Sequence, residues 1–312
     1  MSKKALKTPL RYPGGKSRAC TKMGQFFPDF SKYKQFREPF LGGGSVALYI
    51  SKMYPSLDIW VNDLYEPLVN FWQVLQDDAN NLYEKLCNLK STHPGPVYGP
   101  QEKGFEYPAK ELFLESKNIV GDYNKSDLSR AVAFYIVNKC SFSGLTEASS
   151  FSKQASESNF SMRGIEKLIE YQKIIENWKI TNISYEDLLT DCGDAFIYLD
   201  PPYDIKDNLY GKKGDMHKRF DHDKFAEDCD RHTAHMMVSY NSSQLVKDRF
   251  KEWTVSEFDL TYTMRSVGQY MKNQQDRKEL LLMNYNTNPK VKLTFDGCYN
   301  YDRLKKEGLV DV

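Results

Sequence analysis

The 312-residue chain is 40% hydrophobic and 27% charged, an ordinary composition for a folded protein able to bury a core in one elaborated domain or two. No run of about eighteen apolar residues occurs, and the polar Met1-Ser2-Lys3-Lys4 start lacks a signal peptide's apolar stretch, so a cytoplasmic protein without a membrane-spanning helix is expected. With 43 Lys and Arg against 42 Asp and Glu the net charge of +1 offers nothing in favour of nucleic acid, and six scattered cysteines without a Cys-x-x-Cys pair point to reduced thiols and no metal site.

The distribution of charge says more. Lys3, Lys4, Lys7, Arg11, Lys16, Arg18 and Lys22 all precede the first acidic residue, Asp29, and a second basic cluster holds Lys206, Lys212, Lys213, Lys218 and Arg219. Such patches can track phosphates, or simply be a solvated terminus and loop.

In chain order, Arg11-Tyr12-Pro13-Gly14-Gly15-Lys16-Ser17 is a Gly-rich turn ending in a cation. A triphosphate-binding loop would need a glycine where Leu10 stands and a strand before it, so that reading is rejected. Lys16 can instead reach a ligand's carboxylate or carbonyl, and Tyr12 can pack on an organic group. Phe36 onward predicts a short strand, then a glycine turn, then a helix with Val46, Ile50 and Met53 on one face and Ser45 as its cap. At Gly42 and Gly44 the backbone can approach a ligand at a helix N-terminus. With Ala47 and Asp63 these glycines also satisfy the loose dinucleotide fingerprint, which keeps a nicotinamide or flavin enzyme as a rival. Pro39, Glu38 and a second ligand-like motif at Asp200 weigh against it.

Leu57 to Val61 alternates like a strand and ends in Asn62-Asp63, whose carboxylate can accept both hydroxyls of a ribose or cap a helix from Glu66 to Leu75. From Asp77 to Arg163 the pattern turns mostly helical and is read as an inserted module, residues 77–163, within a core of residues 1–76 and 164–285. Ala131 to Val137 predicts a buried helix ending at Asn138-Lys139, and Cys140 to Arg163 an exposed loop or hairpin carrying Lys153, Gln154, Asn159 and Arg163. Its polar residues can meet base edges or phosphates, or be plain surface. After Ile165 comes a helix through Trp178 and a strand from Ile180 to Ile183, beyond which Tyr185 and Asp187 either line an adenine pocket or form a capped turn.

The apolar run Ala195 to Leu199 predicts a buried strand that ends at Asp200-Pro201-Pro202-Tyr203. The two prolines carry the chain stiffly out of the sheet and leave the Asp200 carboxylate and the Pro201 carbonyl available to a ligand, with Tyr203 offering a ring face. Two acceptors and a stacking face suit a planar amino-heterocycle, whose amine must turn tetrahedral to attack an electrophilic methyl group. A helix from Phe220 to His232, a strand from Met236 to Tyr240 and a last strand from Glu279 to Met283 follow, then a polar extension, residues 286–312. His217, His222, His232 and His235 lack metal-site spacing and read as surface or structural residues.

Taken in order, Tyr12 to Lys16, Glu38 to Val46, Asn62-Asp63, Asn138 to Leu145 and Asp200 to Tyr203 resemble the D12-class DNA adenine methyltransferases, the Dam family, over about Leu10 to Tyr285. The resemblance implies an α/β, Rossmann-like S-adenosylmethionine-dependent core with a helical target-recognition insertion, and methylation of adenine N6 in double-stranded DNA after the base is flipped out. It implies that Tyr12, Lys16, Phe40, Asp63 and Tyr185 hold the cofactor beside Gly42, Gly44 and Asp200. It implies too that Asp200, Pro201, Pro202 and Tyr203 grip the adenine. Asn138, Lys139, Lys153, Gln154, Asn159 and Arg163 are then the candidates for DNA contact. Thr146-Glu147-Ala148-Ser149 stands where GATC-specific members usually carry an Arg and an Asn-Val-Pro-like segment, which leaves the target sequence open. Cytosine-N4 or RNA adenine methylation, and a non-catalytic DNA-binding relative, are the alternatives.

Overall fold

A computed structural model describes residues 7–12, 14–17, 19–93, 108–142, 144, 149–190, 192–203, 220–259 and 278–285. Strands β1 (Gln35–Glu38), β2 (Asp58–Asn62), β3 (Lys179–Thr181), β4 (Ala195–Leu199), β5 (His235–Asn241), β6 (Thr254–Asp259) and β7 (Lys278–Met283) form one sheet in the order β3-β2-β1-β4-β5-β7-β6. β1 to β5 are parallel, and β7 enters antiparallel between β5 and β6. Consecutive β1 and β2 step to one side of the sheet and β4 and β5 to the other, so the crevice between β1 and β4, at the carboxyl ends of the parallel strands, is where such a sheet binds ligands.

The helices are α1 (Cys20–Met23), α2 (Ser45–Met53), α3 (Glu66–Asp77), α4 (Ala79–Thr92), α5 (Pro108–Val120), α6 (Asp127–Cys140), α7 (Lys153–Ser158), α8 (Met162–Glu166), α9 (Leu168–Ile175), α10 (His222–Arg231) and α11 (Gln244–Arg249). β4 reads as an unbroken apolar run because both of its faces are covered. Phe196 and Tyr198 join the larger core, under α2, α3, α6 and α9, while Ile197 and Leu199 join the smaller one with Phe225 of α10.

Two expectations change. Among the described residues, the helices of residues 77–163 share the core that covers the sheet: α6 is buried from Arg130 to Cys140, and its Phe134 and Tyr135 lie with ring centroids 5.7 and 5.8 Å from Phe71 of α3. The stretch from Cys140 to Arg163 holds an isolated Ser141–Phe151 bridge, the short helices α7 and α8, and the buried Phe160, more order than its serine-rich sequence suggests. β6 was not anticipated. Its Thr-Val-Ser-Glu-Phe-Asp alternation is sheet-like, but only pairing along its whole length with β7 commits it to a strand.

Candidate active site

Asp200 leaves β4 at the crevice with its side chain 23% exposed. Its Oδ1 accepts from Ser239 Oγ at 2.7 Å, and Ser239, wholly buried on β5, is within 2.8 Å of the Tyr198 hydroxyl. Lys16 Nζ donates to Asp200 Oδ1 and Oδ2, both at 2.9 Å, to the Tyr203 hydroxyl at 2.8 Å and to the Gly14 carbonyl at 3.1 Å. The same ammonium lies 3.0 Å from Glu279 Oε1, and the Tyr203 hydroxyl donates to that carboxylate. Lys16, 2% exposed, was expected to reach a ligand; it lines the pocket, with its ammonium joined to two carboxylates. Burial, with the negative charge of Asp200, pushes the Glu279 carboxyl up to about 7 against the pull of Lys16. The Tyr203 ring stacks on Tyr240 at 5.9 Å.

Across the crevice, β1 delivers the glycine turn. Gly42 has φ +49°, and a Cβ there would lie 2.8 Å from the Tyr12 ring; Gly44 has φ +68°, and a Cβ there would meet Trp72 at 2.7 Å. Both positions need glycine for backbone and for space. Gly44, not Ser45, is the cap residue of α2, and Ser45 Oγ pairs with Ser17 Oγ at 3.0 Å. One amide of the first turn of α2, Ala47 N, donates to Glu38 Oε2 at 2.7 Å. Burial holds that carboxyl well above the usual range.

Asp63 resolves the choice between ligand and cap by serving the backbone with both oxygens. Oδ2 accepts from Gly42 N at 2.9 Å and Oδ1 from Tyr65 N at 3.0 Å. The group is 8% exposed, and desolvation lifts it to about 6 against these amide bonds. It therefore braces the glycine turn while still lining the pocket. Asn62 ties the neighbouring strand ends together, donating to the Pro39 and Ile183 carbonyls at 3.2 and 3.0 Å. Phe40 and Tyr185 stack at 5.4 Å with Phe220 against both, and Tyr185 donates its hydroxyl to Asp228 at 2.7 Å.

One pocket is lined by Tyr12, Lys16, Phe40, Gly42, Asp63, Tyr185, Asp200, Pro201, Pro202 and Tyr203. It also takes in Glu38, Ser184 and Phe220. Gly44 underlies it without lining it. The remaining candidates are elsewhere. Asn138 is fully buried: its Oδ1 accepts from Arg11 N at 2.9 Å, and its Nδ2 donates to the Arg11 and Gly144 carbonyls at 2.6 and 2.9 Å. It clips the N-terminal strap to the end of α6 and does not face a substrate. Lys139 is 9% exposed with Nζ 5.2 Å from the Tyr135 ring centroid, and burial, then Arg11, lowers it to about 8. On α7 and α8, Gln154 and Arg163 are exposed, Lys153 and Asn159 half-buried, and none borders the pocket.

Pro13, Arg18, Glu147, His217, the cluster from Lys206 to Arg219 and residues 286–312 lie outside the described residues, as do Lys3 and Lys4. Among the described residues no His, Cys, Asp or Glu group could hold a metal ion, and no helix is long and apolar enough to cross a membrane. Ser239, Glu279 and Phe220 are site residues that sequence reasoning did not find, and Glu38 was noted in the glycine-turn motif without a role of its own. Of the first three, only Glu279 carried a signal, a lone acid opening an apolar strand.

Residues 12–265 match the family described as D12 class N6 adenine-specific DNA methyltransferase. This chain belongs to that family. The methyltransferase is 24% identical over 296 residues to the type II methyltransferase M.MjaIII of Methanocaldococcus jannaschii, covering 88% of this chain and 98% of that protein. It is also 24% identical over 290 residues to M1.LlaDCHI of Lactococcus lactis subsp. cremoris, covering 88% and 94%. Among solved structures, the rRNA methyltransferase aviRa from Streptomyces viridochromogenes aligns over 85% of this chain and 84% of its own, with TM-score 0.33 and 10% identity. The methyltransferase is accordingly a Rossmann-like, S-adenosylmethionine-dependent enzyme that methylates adenine N6 at specific sites in DNA. The nicotinamide and flavin reading falls.

Proposed function

We propose that the target adenine is flipped from the duplex and gripped at Asp200, Pro201 and Tyr203, with the cofactor in the adjoining pocket. One observation carries this. Asp200 Oδ1 is occupied by Ser239 and Lys16, whereas Oδ2 has Lys16 alone among the described residues and keeps an acceptor direction free in a carboxylate that is open to the crevice. That oxygen takes one amine hydrogen and the Pro201 carbonyl the other, while Pro202 keeps the turn stiff and Tyr203 stacks on the base.

The pocket suits S-adenosylmethionine: a buried carboxylate at Asp63 stands at the end of β2, the Phe40–Tyr185 stack with Phe220 offers a flat apolar slot, and the Gly42 turn removes side-chain bulk beside Tyr12. When bound, the cofactor supplies an electrophilic methyl group. Asp200 stabilises the positive charge that grows on the attacking nitrogen, then takes the proton that leaves it and passes it to solvent. Exposed Gln154 and Arg163, with Lys153 and Asn159, read the duplex, and the N-terminal lysines contact phosphates. Cytoplasmic residence belongs to the same proposal and rests on the DNA substrate.

The test is sequencing-based mapping of modified bases in amplified, unmethylated genomic DNA exposed to enzyme and cofactor. N6-methyladenine at one recurrent sequence is expected; methylcytosine as sole product refutes the adenine grip. With 2-aminopurine at the mapped adenine, fluorescence should rise on binding, and no rise refutes flipping.

A further inference from the structure

We propose that Glu279 is a positioning residue for methyl transfer, acting on the target amine through Lys16 and Tyr203; this rests on the roles given above to Asp200 and Tyr203. Because β7 runs antiparallel to β5, its first residues lie beside the carboxyl end of β5, with Glu279 in register with Asn241. A side chain at that end of β7 thus reaches the crevice from the far side of the sheet.

Glu279 is 1% exposed and is followed by the buried Leu280, Leu281, Leu282 and Met283. A buried ion pair is poor evidence of a stabilising role, since apolar residues of similar volume commonly do as well or better. What the carboxylate does accomplish is visible in its contacts. Lys16 Nζ stands 3.0 Å from Glu279 Oε1 and 2.9 Å from each oxygen of Asp200, so one ammonium is shared between two carboxylates. With Glu279 ionised, the three groups sum to one negative charge; with a neutral residue there they sum to zero. The shared ammonium leaves Asp200 Oδ2 a strong acceptor toward a nitrogen that becomes positive as it attacks, while still fixing the carboxylate in place. Glu279 also accepts from the Tyr203 hydroxyl, which Lys16 approaches at 2.8 Å, so the acceptor and the stacking ring are held by one polar node.

The test compares wild type, Glu279→Gln and Glu279→Asp, using tritiated S-adenosylmethionine, DNA carrying the mapped site, single-turnover rates, cofactor and DNA Kd, and thermal unfolding. Glu279→Gln keeps shape and hydrogen-bonding oxygen but removes the charge. The expected result is a single-turnover rate lowered at least tenfold, both Kd values within threefold of wild type, and a Tm equal to or above wild type, since a buried charge has gone. A purely structural role would instead lower Tm. A Glu279→Gln rate within twofold of wild type overturns the proposal, as does a rate loss matched by weaker cofactor binding or a lower Tm. Glu279→Asp, which keeps the charge, should be faster than Glu279→Gln, and a rate no better than that of Glu279→Gln overturns the proposal; if Glu279→Gln does not fold, the uncharged Glu279→Met of similar volume takes its place with the same expected and overturning outcomes. Wild-type enzyme that yields no N6-methyladenine would refute the functional reading and this inference together, whereas an active wild type with an unaffected Glu279→Gln refutes the inference alone.

Discussion

Asp200→Asn tests the acceptor most directly, because it changes the hydrogen bonding of one side chain and almost nothing of its volume. In the protein, Asp200 Oδ1 accepts from Ser239 and Lys16, and Oδ2 from Lys16. An Asn that keeps its oxygen toward Ser239 turns an NH2 toward both Lys16 and the substrate amine, donor against donor. The opposite rotamer keeps the acceptor for the amine but loses the bond from Ser239, which must rotate. Either way the negative charge facing the developing ammonium is gone. Loss of a preorganised partner used chiefly in the transition state costs about 2.7–4 kcal/mol, roughly a hundred- to thousandfold in rate. Cofactor affinity, which the proposed site assigns mainly to Asp63 and the aromatic slot, should stay within a few-fold. Single-turnover transfer at saturating DNA and cofactor, with calorimetric cofactor titration beside it, measures both. A transfer rate within threefold of wild type would show that Asp200 is not the acceptor.

Asp63→Ala orphans the amides of Gly42 and Tyr65, at about 1–3 kcal/mol for each donor left without a partner, so a lower Tm and at least tenfold weaker cofactor binding are expected, read by thermal unfolding and calorimetry. Gly44→Ala forces an L-residue to φ +68° and a Cβ onto Trp72; about 1–2 kcal/mol from backbone strain alone should appear in urea unfolding, and an unchanged midpoint would contradict the tight turn. Asp63 and Glu279 have folded-state pKa values raised to about 6 and about 7, so their protonation favours the native state below the ordinary carboxylate range, and that stability is lost as pH rises through 6 to 7. The cofactor-free protein should therefore have a lower urea midpoint at pH 8 than at pH 6, and Glu279→Gln should flatten the upper part of that slope. Arg163→Ala or Gln154→Ala should alter which sequences are methylated, while Lys4→Ala should weaken binding to all sequences alike and reduce its salt dependence; base mapping and filter binding separate the two.

What the sequence by itself determined was local. Hydrophobic period marked β4 and the glycine turn before α2, and two prolines after Asp200 announced a stiff exit with free acceptors, because φ restriction and lost donors act within a few residues. Asp63, Tyr12, Phe40 and Tyr185 were legible because each stands at a strand end or turn, and strand ends in a parallel sheet converge on one edge. The environment of those residues was not legible. Glu279 opens an apolar strand and could have been solvent-facing; only the antiparallel insertion of β7 between β5 and β6 brings it to Lys16, which lies near the other end of the described chain. Asn138 and Lys139 end a helix whose burial depends on how α6 packs against α3, so the same residues that read as DNA contacts became a buried clip and a desolvated amine. Side-chain chemistry is written in the residue, but whether a charge is solvated, shared or orphaned depends on neighbours far away in sequence, and that is settled only when the sheet order closes around it.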